Sequence, residues 1–234
     1  FVRQKMYDEY IVGLKIDINW NLLDRLWIFA QEANVSVLRL ISMVNPTSTL
    51  ITDVNSTTFT ANQGINGDGA TSYLNTNYNL STGVNYTQNS ASYGIYSRTN
   101  QVAGNFREMG ANTVGSFSDI IVKFTGNVTL MDCNSALNTS VANTQGQGLY
   151  VGERRDAANI YQWKNGIQVA TLATASTAPA DQNMYICCRN NAGTAANFTA
   201  SMLSMAFIGA GGMDHLKFFN RTERLLDQIA AGVV

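Results

Sequence analysis

The chain has 234 residues, 13% charged and 45% hydrophobic, and its 15 Lys+Arg against 16 Asp+Glu leave a formal net charge of −1. That balance supplies no broad basic field for nucleic acid, no apolar run approaches the roughly 20 residues of a membrane-crossing helix, and three cysteines are too few for a disulfide scaffold. Polarity is carried instead by 26 Asn and 22 Thr, beside enough aliphatic and aromatic residues to fold around a core.

Met6, Tyr10, Ile11 and Leu14 recur at helical spacing and predict a short helix over Met6–Ile16. Asn21 is expected to cap a second helix with Asp24 in its first turn, because Leu22, Leu23, Leu26, Trp27 and Ala30 fall on one stripe. Asn45–Pro46 marks a boundary, since the residue before proline is pushed away from helical geometry. Residues 1–56 thus read as a helical attachment segment. Its stripe, with Leu22, Leu26 and Trp27, packs either under the chain's own sandwich or against neighbouring copies.

From Thr57 the pattern changes to short strands punctuated by Gly and Asn. Ser92–Arg98, Asp119–Phe124, Val128–Met131, Gly148–Gly152, Ile160–Lys164, Ile167–Leu172, Met184–Arg189 and Ser201–Ile208 are predicted strands. Asn165–Gly166 is a hairpin signal, both residues tolerating the positive φ of a type I′ turn. Strands at this spacing, without helices between them, indicate an antiparallel sandwich or barrel over 57–234. A last helix is predicted from an Asp214 cap to Gly232, with Leu216, Phe219, Leu226 and Ile229 near one face.

Little reactive chemistry is on offer. His215 is the only histidine, so a multi-histidine metal site is impossible and any triad would have to be built around it. Gly64–Gly69 and Gly209–Gly212 do not complete a phosphate-binding motif and read as turns. Asp68, between Gly67 and Gly69, reads as an Asp-Gly turn, not a calcium ligand. Cys133, Cys187 and Cys188 read as buried free thiols. No cofactor, metal site or catalytic residue is expected. Glycoside cleavage needs only two carboxyl groups, and Glu108 or Glu153 with a second acid would be the candidates. For saccharide binding, Tyr96 and Trp163 offer ring platforms, while Arg154, Arg155 and Asp156 offer polar groups in a predicted loop.

Thr58–Asn75 (TFTANQGINGDGATSYLN), Ser90–Arg98 (SASYGIYSR), Gly152–Gly166 (GERRDAANIYQWKNG) and Met205–Gly212 (MAFIGAGG) resemble concanavalin A-like, laminin-G-like jelly-roll domains. The Leu22–Ala30 segment before F-T-A-N-x-G is similar to versions in phage and prophage virion proteins. The resemblance implies a mainly β, antiparallel two-sheet jelly-roll sandwich with a short helical N-terminal segment and a closing C-terminal helix. It further implies a non-enzymatic virion structural protein, in a tail, baseplate or head appendage. Such a protein would be made in the host cytoplasm, assemble with other virion proteins and with copies of itself, and meet a surface glycan, with no nucleic acid and no membrane insertion. A carbohydrate-binding lectin-like module and a glycan hydrolase are the alternatives.

Overall fold

The computed structural model describes residues 2–232. Its helices are α1 (Val2–Ile16), α2 (Asn19–Leu22) and α3 (His215–Ala230). The first strands are β1 (Leu23–Ile28), β2 (Thr52–Val54), β3 (Thr58–Thr60), β4 (Gly64–Asn66), β5 (Tyr73–Asn79) and β6 (Ala91–Ser97). Next come β7 (Met109–Thr113), β8 (Ser116–Phe124), β9 (Val128–Met131), β10 (Ser140–Ala142), β11 (Gly148–Arg154) and β12 (Asn159–Lys164). The last are β13 (Ile167–Ala173), β14 (Asn183–Ile186), β15 (Arg189–Asn191), β16 (Thr194–Ala196) and β17 (Leu203–Gly209).

These strands form two sheets. Sheet one runs β13-β12-β11-β6-β17-β4-β3, with β1 also on β17. Sheet two runs β10-β9-β8-β7-β14-β5-β2, with the β15–β16 pair attached to β7. Pairing is antiparallel throughout except for the short β15–β7 register. The expected two-sheet sandwich with flanking helices is what the chain forms. Asn165 and Gly166 take φ of 51° and 75°, as a type I′ hairpin requires. A side chain on Gly166 would also lie 2.7 Å from Leu216 Cα and 2.9 Å from His215 O, so this hairpin abuts the start of α3.

Alternation along the strands builds two apolar layers. Between the sheets, Tyr93, Ile95, Tyr150 and Ile208 of sheet one meet Leu74, Met109, Ile120, Val122 and Ile186 of sheet two. On the other side of sheet one, Leu149, Val151, Met205 and Phe207 pack beneath Met6, Tyr10 and Leu14 of α1 and Phe218, Leu225 and Ile229 of α3. Each such buried side chain stabilises the fold by about 1.5–3 kcal/mol. The helices are therefore a third layer over sheet one. No helix of the described residues is long and apolar enough to cross a membrane.

The predicted second helix is corrected. Only Asn19–Leu22 is helical, and Leu23–Ile28 is β1, paired antiparallel with β17. Trp27 and Phe29 enter the core between the sheets, whereas Leu26 and Ile28 face the helical layer. With both faces covered, the strand shows no polar alternation, and its leucine spacing imitates a helical stripe. Asp24 begins no helix. Its buried carboxylate accepts from Tyr78 OH, Asn85 N and Tyr86 N, which pins the loop before β6 to β1. Residues before 57 thus supply β1 to sheet one and β2 to sheet two.

Candidate ligand-binding site

The residues singled out for saccharide binding fall on sheet one or in its β11–β12 loop. Arg154 is fully buried. Its Nε donates to Cys133 O (2.7 Å) and Asn134 O (3.2 Å), its Nη1 to Asn159 O (3.1 Å) and Thr174 O (2.8 Å), and its Nη2 to Ala175 O (3.1 Å). Backbone carbonyls engage all three guanidinium nitrogens of this buried side chain, so Arg154 is a loop clamp and not a ligand contact.

Arg155, Asp156 and Trp163 do come together. Arg155 lies 5.4 and 5.1 Å from the ring centroids of Tyr161 and Trp163. Tyr161 OH and the amides of Ala158 and Asn159 donate to Asp156, and they hold its carboxyl below the ordinary range, at about 2. Trp163 Nε1 donates to Glu153 Oε2 (2.8 Å), and its ring packs on His215 at 4.6 Å. The protein's own arginine and histidine thus sit on the rings expected to stack on sugar. Tyr96 is half-buried on the face that α3 covers, where burial and the Glu223 carboxylate raise its phenol pKa.

Other expectations are likewise redirected. Leu26 and Trp27 are buried inside the chain, and the partly buried Leu22 packs against the helical layer. Glu108 and Glu153 are both fully buried. Glu108 accepts from Gln101, Thr199, Ser201 and Val122 N, and burial raises its carboxyl pKa against those contacts. Neither carboxyl named for hydrolysis can touch a sugar arriving from solvent. Asp68 accepts from the amides of Ser72, Thr71 and Ala70, which hold its carboxyl well below the usual range and close a turn. The three cysteines are free and buried. Among the described residues no three His, Cys, Asp or Glu side chains converge as a metal set.

The helical layer lies over sheet one, not over the outer face of sheet two. At its β8–β9 end lies a cleft of about 380 Å³ lined by Asn105, Arg107, Phe124, Leu130, Asn138 and Ser140 among others, within the roughly 300–1,000 Å³ of ligand sites. Sequence reasoning missed it because of a bulge. Ile121 pairs with Leu130 but Phe124 with Val128, so β8 carries one extra residue there. Simple alternation would send Phe124 inward with Ile120 and Val122. The bulge turns it outward, onto the face of Val128 and Leu130.

Arg107 is anchored from behind. Its Nε lies 3.2 Å from Asp119 Oδ2, which also receives Arg189 Nη1 at 3.2 Å, while Nη1 donates to Asn105 Oδ1. Further along the same face Tyr73 and Tyr185 stack at 4.6 Å, with Phe198 edge-on to Tyr73 at 6.1 Å. A ring, two amides, a hydroxyl and a fixed guanidinium around one cleft suit a polar, partly planar ligand.

No protein-family model and no curated protein sequence matches the chain. Solved structures do. Domain 4 of AbnA, a GH43 extracellular arabinanase from Geobacillus stearothermophilus in complex with arabinotriose, aligns with a TM-score of 0.58 at 11% identity, over 86% of this chain and 98% of that one. The botulinum neurotoxin serotype D binding domain aligns at 0.57 and 7% identity, over 87% of this chain and 52% of that one. Trypanosoma rangeli sialidase in complex with 2,3-difluorosialic acid aligns at 0.60 and 10% identity, over 88% of this chain and 33% of that one. At such identities the likeness establishes the β-sandwich fold alone.

Proposed function

We propose that the protein is a non-catalytic glycan-binding module whose ligand lies in the cleft on the outer face of sheet two. The observation that carries this reading is Phe124, turned out of the core by the β8 bulge, beside Arg107, Asn105, Asn138 and Ser140. Sugars present apolar C–H faces that stack on rings and hydroxyl edges that pair with amides and guanidinium groups. Two of the similar structures support the class, since one holds arabinotriose and the other a sialic acid derivative. Contact with a surface glycan is also what such a module would bring to the virion appendage that the sequence resembles.

A glycan array, with and without calcium, tests the reading directly. A hit followed up with Phe124→Ala is expected to lose at least about tenfold in affinity, or ~1.4 kcal/mol. Because Phe124 is only half-buried, the melting temperature should hardly move. An array without hits, or an unaffected Phe124→Ala variant, would remove the cleft from consideration.

A further inference from the structure

We propose that the ligand of this cleft is an acidic glycan, whose carboxylate or sulfate is bound by the guanidinium of Arg107. The inference rests on the glycan-binding reading and adds the charge of the ligand. Arg107 lines the cleft although only 5% of the residue is exposed. Asp119 takes its Nε and Asn105 its Nη1, and among the described residues Nη2 has no hydrogen-bond partner. The planar fork is therefore held in one orientation with a terminal nitrogen to spare. That arrangement favours an oxyanion over a hydroxyl, because charge-assisted bonds to guanidinium are about twice as strong as neutral ones.

The charge balance points the same way. Asp119 is shared by Arg107 and Arg189, so one carboxylate answers two guanidinium groups and one positive charge is left over. No carboxylate lines the cleft. Another acid near Arg107, Asp132, has its Oδ1 taken by Thr139 N and Oγ1, and burial pushes its carboxyl up to about 7. A buried guanidinium that is half-satisfied by protein gains most from a ligand that brings its own negative charge.

Calorimetric titration of the full chain with matched probes tests this. Sialyllactose and sulfated lactose are compared with lactose, and tri-galacturonate with its carboxyl-reduced form. At least one acidic probe should bind tenfold or more tightly than its neutral partner, and that gap should shrink as salt rises from about 0.05 to 0.5 M. Which acidic probes bind tells carboxylate from sulfate. Arg107→Lys should close most of the gap, lowering affinity for the acidic probe tenfold or more and for its neutral partner by much less. Should that variant fail to fold, Asn105→Ala, which frees Nη1 but keeps the Asp119 pair, should narrow the gap instead. Equal affinity for acidic and neutral probes would overturn the acidic ligand and leave glycan binding standing. Binding of neither kind, with a blank array, would overturn both.

Discussion

Glu153 of β11 and His215 of α3 meet beneath the closing helix, with Oε1 3.2 Å from Nε2 and both side chains buried. Neither ring nitrogen of His215 completes an aligned hydrogen bond, so this is a close polar contact and not a directed bond. Glu153 is better served by other donors: Gly212 N at 2.6 Å, Trp163 Nε1 at 2.8 Å and Arg155 Nε at 3.0 Å. The carboxylate thus joins the β11–β12 hairpin to the start of α3. It is a structural junction where sequence reasoning considered a catalytic acid.

Burial alone would raise the Glu153 carboxyl, but His215, Gly212 N and Arg155 outweigh it and hold the group below its ordinary value. A depressed carboxyl contributes stability above its unfolded pKa, which is lost as pH falls through the folded one. Glu153→Ala strands three donors at once and should cost about 3–5 kcal/mol at neutral pH, read as a lower denaturation midpoint. Glu153→Gln keeps an acceptor for Gly212 N and should cost less, about 1–3 kcal/mol. Equal, small losses for both variants would show that the junction holds nothing together.

Arg154 separates structure from ligand binding. Five carbonyl oxygens accept from its guanidinium, and a lysine ammonium has three donors in a different geometry. Arg154→Lys should therefore destabilise the fold by about 2–4 kcal/mol while the folded fraction binds glycan with unchanged affinity. A stable Arg154→Lys with weakened binding would return this residue to the site.

Much of the fold was legible because its signals are local. Asn165–Gly166 needed only turn chemistry, and the Asp214 cap accepts from Lys217 N at 3.0 Å as expected. β6, β11 and β17 showed their apolar runs. β1 was illegible as a strand because sheet one's core and its helical layer bury both its faces, erasing the period of two. The site was illegible for a different reason. Phe124 changes faces through a one-residue register shift, and Arg107 in the loop before β7, Asp119 of β8 and Arg189 of β15 come from three segments whose adjacency no spacing reveals. The GERRDA loop drew attention through its charge, but that charge is spent on backbone carbonyls of neighbouring segments and on the rings of β12.

Asp132 sets an unusual pH dependence. Its Oδ2 is buried without a partner, and burial pushes the carboxyl up to about 7 despite the contacts from Thr139. The unfolded value is about 3.9, so between those values the folded chain holds a proton that the unfolded chain releases. Stability from this group is fully present below the unfolded value and is lost as pH rises through about 7. Glu108, raised by burial, acts in the same sense. The denaturation midpoint should accordingly rise between about pH 8 and pH 5.5, opposite to Glu153's trend. Asp132→Asn should flatten this slope and gain on the order of 2–4 kcal/mol at the alkaline end. An identical slope in the variant would assign the titration elsewhere.

Gly110 tests whether Asp119 orients the cleft's guanidinium. It sits in β7 opposite Tyr185 of β14 and Arg189 of β15. A methyl group there would overlap Asp119 Oδ1 and lie 2.8 Å from Arg189 Cβ. Since the carboxylate is fully buried with Arg107 on its Oδ2, relief of the overlap has to move the ion pairs or the strand. Gly110→Ala should cost about 1–3 kcal/mol of stability by overpacking. If Asp119 sets the fork's direction, the same variant should also lose most of its preference for acidic over neutral probes, with neutral affinity retained. Lost stability with an intact preference would mean that Asn105 alone positions Arg107, and intact stability would mean that sheet two yields more easily than its packing implies.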